Sequence, residues 1–157
     1  MFVKGIKEED FANYKKPSMF IIFPYCSFKC DKECGRSVCQ NSELASAPVI
    51  SIPALTIVEK YVSNPITKAI VFGGLEPFDS YEDMMKLIKK FRNQTRDTIV
   101  IYTGYKEEEL ADRLKEVAKY PNIIIKFGRF IPDDVPVYDK ILGIALSSHN
   151  QYAKIIS

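Results

Sequence analysis

Apolar, largely β-branched runs punctuate the chain at Met19 to Tyr25, Ala69 to Phe72, Thr98 to Tyr102, Ile123 to Phe127 and Ile141 to Leu146. The first, MFIIFPY, is apolar throughout and lies between Lys16-Pro17 and a cysteine-rich segment, which predicts a strand buried on both faces. Between the runs the apolar positions take helical spacing. Met84, Leu87, Ile88 and Phe91 recur three and four apart, predicting a helix over Ser80 to Phe91 with Ser80 and Asp83 placed as a capping box. A second helix is predicted over Lys106 to Lys119, with Leu110, Leu114 and Val117 on one side and charges on the other. A less regular one is predicted over Pro53 to Tyr61. Alternating strands and helices predict an α/β fold: a mainly parallel sheet with helical crossovers, open or closed into a partial (β/α) barrel.

Ligands in such sheets gather at the carboxyl ends of the strands, and the unusual residues of this chain fall there. The strands run in turn into Cys26-Ser27-Phe28-Lys29-Cys30, Gly73-Gly74-Leu75-Glu76-Pro77, Thr103-Gly104-Tyr105, Gly128-Arg129-Phe130 and Ser147-Ser148-His149-Asn150-Gln151. The 157 residues, 46% of them hydrophobic, suit a single domain over 1–157. Acids and bases are interspersed with a net charge of +2, which gives no bias toward nucleic acid or a membrane surface. The opening MFVKGIKEEDFANYKKP has no signal-like apolar stretch, and no window approaches the ~18 apolar residues of a span. A cytoplasmic protein is expected, and four cysteines in a reducing compartment are more often ligands or redox groups than a disulfide framework.

Those cysteines, Cys26, Cys30, Cys34 and Cys39, are separated by three, three and four residues. Thiolates suit iron–sulfur clusters and zinc alike. Four sulfurs would close a structural zinc site, although such sites usually draw ligand pairs from two segments and here all four come from one loop. Three would leave one iron of a four-iron cluster open to a ligand. The preceding apolar strand and the glycine loops downstream favour the cluster.

The pattern resembles radical S-adenosylmethionine (SAM) enzymes, and among them the activating proteins of anaerobic, class III ribonucleotide reductases. The likeness runs from about Gly5 to Ile156. Pro24 to Cys30 is similar to the family's cluster loop, Cys39-Gln40-Asn41 to the triplet that closes it, and Phe72-Gly73-Gly74-Leu75-Glu76-Pro77 to the motif that binds the methionine moiety. Tyr102-Thr103-Gly104-Tyr105, Gly128-Arg129-Phe130 and the Ser147 to Gln151 segment match segments of the activating subfamily. Two departures stand out. The family's third cysteine follows its second by three positions, whereas Cys34 follows Cys30 by four and Cys39 by nine. The aspartate that commonly precedes the glycine of Gly128-Arg129-Phe130 is Phe127 here.

The resemblance implies a partial (β/α) barrel of radical SAM type and, as cofactors, a [4Fe-4S] cluster and SAM. Cys26 and Cys30 would hold iron, with Cys39 favoured over Cys34 as third ligand because Gln40-Asn41 follows it. Asp31 to Val38 would then be an inserted charged excursion. The reaction implied is reductive cleavage of SAM to a 5′-deoxyadenosyl radical, which makes a glycyl radical on the large reductase subunit. A flavodoxin- or ferredoxin-type protein would donate the electron. Gly73 and Gly74 would let backbone carbonyls accept from the methionine amino group, beside Leu75 and Pro77, and Glu76 would add charge or hold that loop in shape. Thr103, Gly104, Ser148, Asn150 and Gln151 would meet ribose or carboxylate, with loop capping as the ordinary role for the polar ones. Tyr25 and Phe28, with Phe23, would shield the cluster or pack as plain core. Lys126 and Arg129 are candidates for the substrate's carboxylate, solvated bases being the default. His149 is given no catalytic part. A deazaguanine synthase-like enzyme acting on a small molecule and a four-cysteine zinc-binding interaction domain are the alternatives.

Overall fold

The computed structural model covers residues 1–157. Strands β1 (Phe2–Val3), β2 (Gly5–Asp10) and β3 (Ser18–Phe23) precede helices α1 (Lys29–Cys34) and α2 (Ser42–Ser46). Then follow β4 (Ile50–Ser51), α3 (Ala54–Ser63), β5 (Ala69–Gly74), α4 (Tyr81–Arg92), β6 (Thr98–Tyr102), α5 (Ala111–Val117) and β7 (Ile123–Phe127). Strands β8 (Val137–Asp139), β9 (Ile144–Leu146) and β10 (Tyr152–Ile155) complete the chain. The main sheet is mixed and runs β10-β7-β6-β5-β3-β2. Its four central strands are parallel, and each edge strand is antiparallel to its neighbour.

The central strands follow one another across the sheet in a single direction. Right-handed crossovers repeated in one direction place α3, α4 and α5 on the same face, and the core divides accordingly. Side chains of one parity, among them Met19, Ile21, Phe23, Ile70, Phe72, Ile99 and Ile101, pack against the helices in one large cluster. On α4, Met84, Leu87, Ile88 and Phe91 are all wholly buried there, each contributing about 1.5–3 kcal/mol by leaving water. The opposite parity, Ala69, Val71, Val100 and Ile124, faces a smaller cluster closed by Tyr14, Leu142, Leu146 and Ala153. No helix covers that second face. The β8–β9 hairpin lies over it instead.

Three expectations need correction. Ile141 to Leu146 is no strand of the main sheet: only Ile144–Leu146 is extended, and it pairs with β8. Ile141 and Leu142 sit in a turn where both N–H groups donate to Asp139 Oδ1 at 2.9 Å. The helix expected over Lys106 to Lys119 is a 3₁₀ turn, Glu107–Leu110, followed by the shorter α5. Glu109 accepts the Lys106 N–H at 2.8 Å and sets that tighter start. Ser80 makes no capping bond, because the chain enters α4 from a 3₁₀ turn, Pro77–Ser80, whose own cap is the Glu76 side chain.

Candidate metal centre

The carboxyl ends of β3, β5, β6 and β7 border a cavity of about 470 Å³ that α1, α2 and the β8–β9 hairpin help to wall. Cys26, Cys30 and Cys39 line it together with Gly74, Leu75, Glu76, Thr103 and Gly104. Cys34 does not reach it and is exposed. The reason lies in the loop. Phe28 adopts a left-handed conformation, φ 52°, that starts α1, and Gly35, φ 68°, ends it. Asp31 then draws the returning chain back, its Oδ1 accepting the N–H groups of Val38 and Cys39, each at 2.8 Å. The one-turn excursion therefore closes on itself, with Cys39 beside Cys26 and Cys30 and Cys34 at the outer end of the helix.

The sulfurs are partly preorganised. The Phe28 N–H points at Cys26 Sγ at 3.3 Å and the Asn41 N–H at Cys39 Sγ at 3.4 Å. Burial pushes the Cys26 thiol up to about 12, with Glu76 and Asp79 adding to the rise against the Phe28 N–H, and burial raises Cys30 too. Both thiols are therefore protonated at neutral pH, and a metal must displace those protons to bind. Asp79 anchors the loop from beneath: it accepts the Ser27 N–H and the Tyr105 hydroxyl, each at 2.6 Å.

Glu76 is 5% exposed and holds the second loop in shape. It accepts from the Phe78 N–H at 3.0 Å, the Thr103 hydroxyl at 2.9 Å and the Gly104 N–H at 2.9 Å, tying the β5 loop to the β6 loop. Burial outweighs these donors and lifts its carboxyl from 4.5 to about 7. A Cβ on Gly104 would lie 3.6 Å from Cys30 Sγ, so that glycine brings backbone against the cysteine loop. Gly74 has φ 84°, and a Cβ there would overlap Ile22 on the neighbouring strand.

Several residues expected to touch a ligand are engaged otherwise. The Gly74 carbonyl accepts from Asn41 Nδ2 at 2.7 Å, so it already has a partner and latches the third cysteine's segment to the β5 loop. Gly73 is paired with Ile22 in the sheet and does not line the cavity. Tyr25 is half exposed and Pro77 is buried at the head of its turn, neither of them lining. Thr103, though lining, has its hydroxyl on Glu76. Ser148 donates to Asn150 Oδ1 and accepts the Ile131 N–H, and Asn150 donates to the Arg129 carbonyl. Of that terminal segment Ser147 and Gln151 reach the cavity, and Gln151 spends its amide on Ser147 N–H and Gly128 O. These are loop caps, as polar residues in a turn ordinarily are. Exposed His149 pairs with Asp134.

The two basic candidates are not solvated. Arg129 forms a bidentate pair with Glu109 at 2.7 and 2.9 Å, and its Nε lies 3.0 Å from Glu33 Oε2 without a hydrogen bond. It thus braces α1 and the β6 loop rather than facing the cavity. Lys126 is 7% exposed and does line it. Position 127, where an aspartate was expected, is wholly buried on the helix face, with Phe127 also packing on Tyr152 at 5.6 Å between ring centroids. Gln40, Asn41, Tyr102 and Phe130 complete much of the wall. Only the lone charge of Lys126 inside an apolar run marked it in the sequence.

The three thiols line one cavity while the fourth is exposed. Three thiolates suit a four-iron cluster, in which each takes a different iron, whereas a structural zinc site draws on four protein ligands. No helix is long and apolar enough to cross a membrane. No curated protein and no solved structure matches the chain. The family model of the 4Fe-4S single cluster domain does match, over residues 18–151. With that match spanning most of its length and including the cysteine loop and every central strand, the chain belongs to the 4Fe-4S single cluster domain family.

Proposed function

We propose that this protein is a radical SAM activase that generates a glycyl radical on an anaerobic ribonucleotide reductase, its sheet serving as a shortened (β/α) barrel of radical SAM type. The observation that carries the reading is the convergence of exactly three of four cysteines with the Gly74 to Glu76 and Thr103-Gly104 loops on one cavity. Three thiolates leave one iron of a four-iron cluster without a protein ligand, and the cavity, in the size range of small-ligand sites, holds space beside it. Bound together, the cluster and SAM supply reductive cleavage of the sulfonium bond.

The chain's own part is binding and exclusion of water. Cys26, Cys30 and Cys39 would hold the irons. Glu76 fixes the β5 and β6 loops as one wall, and Asn41 ties the third cysteine to it. Leu44, Leu75, Phe130 and Leu146 supply apolar lining. The test is anaerobic reconstitution with iron, sulfide and reductant, followed by assays for 5′-deoxyadenosine and for a glycyl radical signal on the partner reductase. Both are expected in the wild type, and neither in C26A, C30A or C39A. A reconstituted four-iron protein that gives no 5′-deoxyadenosine from SAM refutes the reading. Zinc at one per chain without sulfide does so as well.

A further inference from the structure

Lys126 is the one basic residue lining the cavity, and Glu76 its one carboxyl. The Lys126 ammonium donates to the Gly128 carbonyl at 3.1 Å and stands 5.9 Å from the Tyr102 ring centroid. No carboxylate pairs with it. A buried ammonium carries three donors, and burying such a charge without a counter-ion is costly enough that proteins rarely do so. Glu76 acts on it only at a distance: its carboxyl makes no ion pair with the lysine and is held by three donors from the β5 and β6 loops. The charge is therefore set for something that enters the cavity. Strand alternation explains how it gets there: Ile125 and Phe127 face the helices, and Lys126 between them faces the thiols.

We infer that Lys126 is the counter-charge of the iron–sulfur cluster and holds its reduction potential up. A four-iron core on three thiolates is anionic in both oxidation states, and reduction adds one further negative charge, so a nearby buried cation favours the reduced form. Tyr102 and Gly128 seat the lysine, and the one carboxyl in the cavity, Glu76, stands on the β5 loop, bonded to Thr103 and Gly104 of the β6 loop. The inference requires a bound cluster and is independent of SAM cleavage.

The test is a redox titration of the reconstituted holoprotein, followed by electron paramagnetic resonance without SAM, for the wild type, K126R, K126M and K126Q. Removing the charge is expected to disfavour reduction at least tenfold, 59 mV toward negative for one electron, in K126M and K126Q. K126R should stay within a few-fold of wild type. Loss of iron from both neutral variants while K126R loads normally gives the same answer, since the cluster then needs the charge to assemble. An unchanged potential in K126M or K126Q overturns the inference. So does an equal shift in K126R, or failure of all three to load, either of which assigns the lysine a steric role. Absence of 5′-deoxyadenosine would count against the activase and leave this result standing.

Discussion

Replacing Glu76 by Gln separates the two forces acting on that buried carboxyl. Its folded-state value of about 7, against 4.5 ordinarily, means that the folded protein binds more protons than the unfolded chain between those limits. Stability is therefore greatest below the window and falls as pH rises through it. At ~1.4 kcal/mol per tenfold change the loss amounts to about 3 kcal/mol by pH ~8. Gln does not titrate, so E76Q escapes that loss. It incurs another: the Oε1 position still accepts from Phe78 and Thr103, but an amide NH₂ in place of Oε2 confronts the Gly104 N–H, now 2.9 Å from the carboxylate. Two buried donors facing each other cost about 1–3 kcal/mol. E76Q should then be less stable than wild type by that amount near pH ~4.5, and the deficit should vanish or reverse by pH ~8. Urea unfolding of the reduced, metal-free proteins across this range reads the difference directly. Parallel profiles for the two proteins would refute the reasoning, since every other titrating group is common to both.

Changing Cys34 to Ala should leave iron and sulfide per chain at the wild-type level, whereas C39A should lose the cluster; the reverse result would move the third ligand to α1. D31A removes the acceptor for the Val38 and Cys39 N–H groups, and a chelator should strip iron from it about tenfold or more faster than from wild type. G74A combines a left-handed φ, worth roughly 1–2 kcal/mol, with overlap against Ile22, and its urea midpoint should show a total loss above ~3 kcal/mol. A loss below ~1 kcal/mol would mean that the β5 turn is not held as described.

The central strands are legible in sequence because both of their faces are largely buried, so each reads as an apolar run, interrupted in β7 by Lys126 alone; β6 and β7 begin and end where the pattern does. The edge strands are hidden for the opposite reason. β2, GIKEED, places Lys7, Glu8 and Glu9 at or near the surface, and β10, YAKI, buries only Ala153. Nothing in such a composition separates a half-solvated edge from a loop. The cysteine and glycine loops stand out as departures from ordinary strand-to-helix turns, and the cavity gathers residues from both. The terminal polar residues could not be sorted in the same way: a hydroxyl or amide that caps its own loop and one that meets a ligand have the same composition. Which of the four thiols turns inward was readable only through the resemblance, in which Gln40-Asn41 favoured Cys39; composition and spacing do not show it, since it depends on Asp31 folding its loop back, a contact between residues seven and eight apart.

The unidirectional winding of the sheet has a consequence for the order in which the site can be made. Its wall begins at Ala12 and ends at Gln151, with Cys30 of α1 and Leu44 of α2 on one side and Ile144 to Ser147 on the other. The three inward cysteines lie in the first quarter of the chain and the residues of β9 that complete the wall lie in the last tenth. The site is therefore late to form: a chain with its cysteines already in place has no closed cavity until both ends of the sequence have docked.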